Sequence, residues 1–182
     1  MLTAKEHACL AALVDCLIPA DAIGPSASDA GVVAFIDGQL GGDYGAGKGT
    51  YLPAEPDADI PGDWSPRTFY SKGLAALDEL ARQSAGCDFA QLDPGDRHEL
   101  LSAIERKAIA HPWIAHFLDQ AIQSTMEGYF SDPIHGGNRN AGGWKMVGFP
   151  GCGHDYRSFV GKNLPVAQLV PIQTIADFRD RT

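Results

Sequence analysis

The sequence predicts an all-α fold: a single small helical domain of about five helices, with a long Gly-rich loop and an extended C-terminal tail. Three observations carry this. Helix start signals recur just ahead of apolar residues at three- and four-residue spacing. No polar–apolar alternation runs beyond a few residues, and no hairpin turn lies between strand-like runs. At 182 residues and 45% hydrophobic, the chain can bury roughly 70% of its unfolded surface without disulfides or metals.

The first helix opens at Thr3 with Glu6, the T-x-x-E pattern in which each side chain satisfies a free backbone N–H. Leu10, Leu13, Val14 and Leu17 follow at helical spacing, and Pro19 ends the run. Asp29 is expected to cap a second helix carrying Val32, Val33, Phe35, Ile36 and Leu40, stopped at Gly41-Gly42. Residues 41–63 have no periodicity and mix Gly, Pro and acids, which reads as a long surface excursion. Ser65-Pro66 starts a third helix, with Tyr70, Leu74, Leu77 and Ala81 as its stripe and Gly86 at its end. Asp93-Pro94 repeats the signal for a fourth, marked by Leu100, Leu101, Ile104 and Ala108. Pro112 opens a fifth, with Ile114, Phe117, Leu118, Ala121 and Thr125 on one side. Residues 1–153 thus form the helical domain, and 154–182 a tail whose weak apolar stretch must wrap on the domain or on a partner.

Composition excludes several classes. Lys and Arg number 14 against 23 Asp and Glu, a net charge of −9, which disfavours nucleic acid and anionic membranes. No run of about 18 apolar residues exists to span a membrane. Cys9 and Cys16 would lie about 10 Å apart on one helix, beyond disulfide reach. Cys87 and Cys152 are free to pair with each other, with another chain, or not at all. The start, Met1-Leu-Thr-Ala-Lys-Glu-His, does not read as an export signal.

The segment 126–153 departs from a plain helical pattern. It holds eight of the 21 glycines, interleaved with Tyr129, Phe130, Trp144, Met146, Val147 and Phe149. One reading is a packed loop closing the bundle. The other is a surface moulded to a partner, since large aromatics dominate interface hot spots. Asp132, His135, Asn138, Arg139 and Asn140 add hydrogen-bonding groups. A stand-alone metal-dependent enzyme using Glu127, Asp132 and His135 is the alternative, although no second His supplies a compact ligand signature. Cys152 and His154 are too close in sequence to suggest a thiolate–imidazole pair. No phosphate loop, dinucleotide fingerprint or haem-attachment motif occurs, so the residues point to a helical interaction domain without a cofactor of its own.

The run Glu127-Gly-Tyr-Phe-Ser-Asp-Pro-Ile-His-Gly-Gly-Asn-Arg-Asn, followed by Gly143-Trp-Lys-Met-Val-Gly-Phe-Pro-Gly, closely resembles the gluconate 2-dehydrogenase subunit 3 family. Leu17-Ile-Pro-Ala-Asp, Ala30-Gly-Val, Phe35-Ile-Asp, Tyr70-Ser-Lys-Gly-Leu and Leu77-Asp are similar too, so the resemblance covers about residues 3 to 152. It implies the small (gamma) subunit of a flavin-dependent sugar, sugar-acid or glycoside dehydrogenase. The catalytic partner would be a large subunit of the glucose–methanol–choline type carrying FAD. Electrons would pass on to a cytochrome c subunit with haem c. The small subunit would support maturation and export of the large one. The resemblance implies a periplasmic location, and the lack of an export signal in this chain makes the cytoplasm the alternative.

On that basis residues 127–151 are expected to dock on the large subunit. Tyr129, Phe130, Trp144, Met146 and Phe149 would be the apolar contacts, and Arg139 a charged anchor. His135, Asn138 and Asn140 would line the approach to the partner's substrate pocket.

Overall fold

The computed structural model describes residues 1–48, 64–152, 157, 160–163 and 172–179. The helices are α1 (Ala4–Leu17), α2 (Val32–Gly41), α3 (Pro66–Ala85), α4 (Pro94–Glu105), α5 (Ile114–Phe130), α6 (Gly142–Val147) and α7 (Ala176–Arg179). Among the described residues the only β-type pairing is one isolated bridge, between Gly151 and Gln173. The all-α expectation therefore holds, with two short helices beyond the five predicted.

Helix α5 is the axis of the bundle: α1, α2, α3, α4 and α6 all pack on it. The sequence explains why. Ile114, Phe117, Leu118, Ala121, Ser124, Thr125, Gly128 and Tyr129 are all buried, a stripe wide enough to serve neighbours on several sides. Burial of each large apolar side chain contributes about 1.5–3 kcal/mol. The α3–α5 crossing centres on Gly73, where any Cβ would run into the Phe117 ring. Phe117 in turn stacks edge-on with Tyr70 and Phe69, at 5.6 and 5.9 Å between ring centres.

The predicted capping box of α1 is present: Thr3 Oγ1 accepts from the Glu6 amide, and Glu6 Oε2 accepts from the Thr3 amide at 2.7 Å. Ser65 caps α3 ahead of Pro66, and Gly86 closes that helix with φ of 76°. The short turn after α3 places Phe89 in the core, and its amide donates to the buried Asp78 carboxylate at 3.0 Å. Lys5 pairs with the same carboxylate at 3.2 Å and with Asp88 at 2.7 Å, tying α1 to α3.

Four local expectations need correction. The cap of α2 is Gly31 at φ 87°, not Asp29, because the chain turns left-handed before the helix begins. Helix α4 stops at Glu105, short of Ala108, where Lys107 adopts φ of 54°. Pro112 lies two residues ahead of α5 rather than opening it; Trp113 is the cap residue. The 126–153 stretch, described as far as Cys152, is not a loop: it completes α5, makes two short 3-10 turns and forms α6. Most of the 41–63 excursion (49–63) lies outside the described residues. So does most of the tail, but residues 172–179 return to the domain at Gly151.

Two glycines within helices make opposite predictions in urea unfolding. Gly73→Ala should cost about 1–3 kcal/mol, because the new methyl must displace the Phe117 ring. Gly38→Ala faces open space in α2 and should stabilise by about 0.5–1 kcal/mol.

Candidate functional site

The turn between α1 and α2 and the segment after α5 interlock. Asp15 at the end of α1 accepts from both the amide and hydroxyl of Ser28, at 2.8 and 2.7 Å, which sets the turn. Onto that turn the Tyr129 hydroxyl donates to the Pro25 carbonyl at 2.8 Å, and the Arg139 amide to the Ala30 carbonyl at 2.8 Å. Gly31 is required where they meet. Besides its positive φ, a Cβ there would sit 2.7 Å from the Gly136 carbonyl oxygen and 2.9 Å from Arg139 Nε. Gly143 is required for close approach, since a Cβ would strike the Tyr129 backbone.

Within the segment, Asn138, Asn140 and Ala141 all have positive φ, from 46° to 56°. Side chains other than Gly avoid this region unless the surroundings enforce it. Asn138 does the enforcing. It is fully buried, its Nδ2 donates to the Ser131 carbonyl at 2.8 Å, and its Oδ1 accepts from the Gly143 amide at 2.8 Å. The expectation that Asn138 lines an entrance therefore fails: its amide is consumed in holding the turn.

Trp144 and Tyr129 likewise cannot serve as exposed anchors, being 4% and 0% exposed. The Trp144 indole N–H donates to the Phe130 carbonyl at 2.7 Å, and the Tyr129 ring lies edge-on to Phe130, 5.2 Å between centres. A Gly-rich backbone lets such large rings fold inward. The outward part of the predicted set is smaller. Phe149 is 45% exposed and leans edge-on against Trp144 at 5.1 Å. Phe130 and Met146 are half-buried, and His135, Arg139 and Asn140 are exposed.

Two exposed apolar residues, Ile122 and Met126, stand on α5, two turns and one turn ahead of Phe130, outside the contacts expected from the sequence; Val147, interleaved in the unusual segment, is exposed at the end of α6. The i, i+4 spacing of Ile122, Met126 and Phe130 places them on one outer stripe. The buried Trp144 joins the two helices, through the Phe130 carbonyl on one side and the Phe149 ring on the other. The signal was available as a second apolar stripe on α5, but the first stripe explained the helix and hid it.

Glu127, Asp132 and His135 do not form a ligand set. Among the described residues no group of three or more His, Cys, Asp or Glu could hold a metal ion. Asp132 is buried, and its carboxylate accepts from the amides of Ile134 (3.0 Å) and Ile175 (2.9 Å) and from the Cys152 thiol (3.3 Å). It is the clasp for the returning tail. Glu127 accepts from Gln123 at 3.0 Å. Burial and the Asp132 carboxylate push the Cys152 thiol above its ordinary value, the wrong direction for a nucleophile. All four cysteines are free thiols.

A family model for gluconate 2-dehydrogenase subunit 3 matches residues 4–151. The chain belongs to the gluconate 2-dehydrogenase subunit 3 family. No curated protein matches it, and no solved structure does. The matched range starts at the first residue of α1 and ends at Gly151, so it takes in the interlock and the outer ridge. The returning tail held by Asp132 lies outside it. A subunit 3 chain is an accessory part of a dehydrogenase complex, so other subunits accompany it.

Two outcomes separate inner from outer residues here. Trp144→Ala should lower the stability of the chain by itself by about 3–5 kcal/mol in denaturant unfolding, before any partner is added. Cys152 should alkylate more slowly at about pH 8 than a cysteine in the unfolded chain, because less of it is thiolate. Asp132→Asn should speed that reaction, read by mass spectrometry.

Proposed function

We propose that this chain is the non-catalytic small (gamma) subunit of an FAD-dependent dehydrogenase acting on sugars, sugar acids or glycosides. It stabilises and matures the large flavoprotein subunit, a glucose–methanol–choline-type partner, and helps to shape its substrate entrance. The complex works in the periplasm and passes electrons to a haem c subunit. The family match over residues 4–151 carries this reading.

The FAD is proposed for the large partner subunit. The geometry supports the docking role. The ridge of Ile122, Met126, Val147 and Phe149 exposes apolar surface on a frame that hydrogen bonds hold rigidly. Exposed apolar surface of this kind favours burial against another protein. Phe130 and Met146 flank it, and Arg139 supplies a cation beside it for a partner carboxylate or carbonyl. His135 and Asn140, both exposed, remain the residues placed to face the partner's substrate entrance.

No described helix is long and apolar enough to cross a membrane.

Co-expression with the large subunit, with a tag on this chain alone, tests the reading. The wild type should pull down a yellow complex that oxidises sugars. Met126→Ser with Phe149→Ser should leave this chain folded by circular dichroism and cut recovered flavin at least about tenfold, as expected when interface hot spots are lost. A colourless chain with no partner would overturn the proposal.

A further inference from the structure

A concave feature lies on a different stripe of α5. Helices α2 and α5 touch where Gly128 meets Phe35: a Cβ on Gly128 would lie 2.8 Å from the Phe35 ring. Beside this crossing opens a cleft of 720 Å³, within the range of small-molecule sites. Phe35, Ile36 and Leu40 give it an apolar side. Gln120, Gln123, Ser124 and Glu127 give it a polar side along α5, while Gln39 and Tyr44 come from α2 and the turn after it. The ridge residues Ile122 and Met126 are not among those lining it.

The chemistry of the lining is selective. Three carboxamides, a hydroxyl and two phenols both donate and accept hydrogen bonds. Two of the amides are held in place, Gln120 by Ser124 at 3.3 Å and Gln123 by Glu127 at 3.0 Å. No Lys, Arg or His is among the lining residues, and Glu127 is the one formal charge. An anion would meet a carboxylate and no cation, and so is excluded. The Tyr70 side chain reaches the cleft from α3; it is 1% exposed, and its hydroxyl makes no hydrogen bond of good geometry, the Ser124 hydroxyl being only a loose neighbour. A buried hydroxyl left this way favours a ligand that completes its bonding. Ser124, Tyr44 and Glu127 all line the same cleft. The half-exposed Tyr44 offers a ring at the rim for the apolar face of a ligand.

We infer that the α2–α5 cleft binds a neutral polyhydroxylated molecule of one or two rings. Its hydroxyls exchange hydrogen bonds with Gln39, Gln120 and Gln123 and reach the buried Tyr70 hydroxyl, while its apolar face lies on Tyr44. This does not depend on docking to a dehydrogenase subunit and is testable on the full chain alone.

The experiment is NMR titration of the labelled full chain with glucose, maltose and sodium gluconate. Glucose or maltose should give saturable shifts at Gln39, Gln120, Gln123 and Tyr44, with gluconate at least about tenfold weaker. Gln39→Ala with Gln120→Ala, one exposed and one half-buried position, should weaken binding by about tenfold or more with the spectrum otherwise native. Tyr70→Phe should weaken binding while leaving the fold as stable or more so. The inference is overturned by absence of saturable shifts with either neutral sugar, by gluconate binding as well as glucose, or by shifts that persist undiminished in the double variant.

Discussion

The functional end of this protein depends on one packing constraint: the α1–α2 turn and the segment after α5 must approach backbone to backbone. Gly31 and Gly143 permit that approach, and the Tyr129 hydroxyl and Arg139 amide fasten it through the Pro25 and Ala30 carbonyls. Once the two segments are locked, the three positive-φ residues Asn138, Asn140 and Ala141 are over-determined rather than loose. The glycines that looked like flexibility in the sequence serve close packing instead.

That constraint sorts the aromatics. Rings near the lock, Tyr129 and Trp144, turn inward and build the frame. Met126 on α5, Val147 at the end of α6 and Phe149 just beyond it are left outside. An accessory subunit needs both parts: a frame that survives without its partner and an apolar edge that does not. Asp132 adds a third element. It fastens the returning residues 172–179 through the Ile175 amide, so this part of the tail closes on the frame.

Much of the fold could be read from the sequence because its signals are local. The Thr3–Glu6 box, Ser65-Pro66 and Gly86 act within one helical turn, and each was found where it was expected. The cap of α2 was missed because Gly31 answers to Gly136 and Arg139, more than a hundred residues away. The site was half visible. Composition marked residues 126–153 as unusual, and the family resemblance named it. Which aromatics face out depends on long-range hydrogen bonds such as Trp144 to Phe130 and Asn138 to Gly143, which no spacing rule reveals. The cleft between α2 and α5 was invisible for the same reason, since its walls come from three helices.

The central claim is that the α5–α6 ridge is the face given to another subunit. Hydroxyl-radical footprinting tests it most directly, comparing this chain alone with the complex it forms with the large subunit. The account predicts that oxidation of Met126 and Phe149, 48% and 45% exposed in the free chain, falls sharply in the complex, while that of Met1, 89% exposed, does not. Unchanged oxidation at Met126 and Phe149, with protection confined to α4 or the α3 end of the bundle, would contradict it.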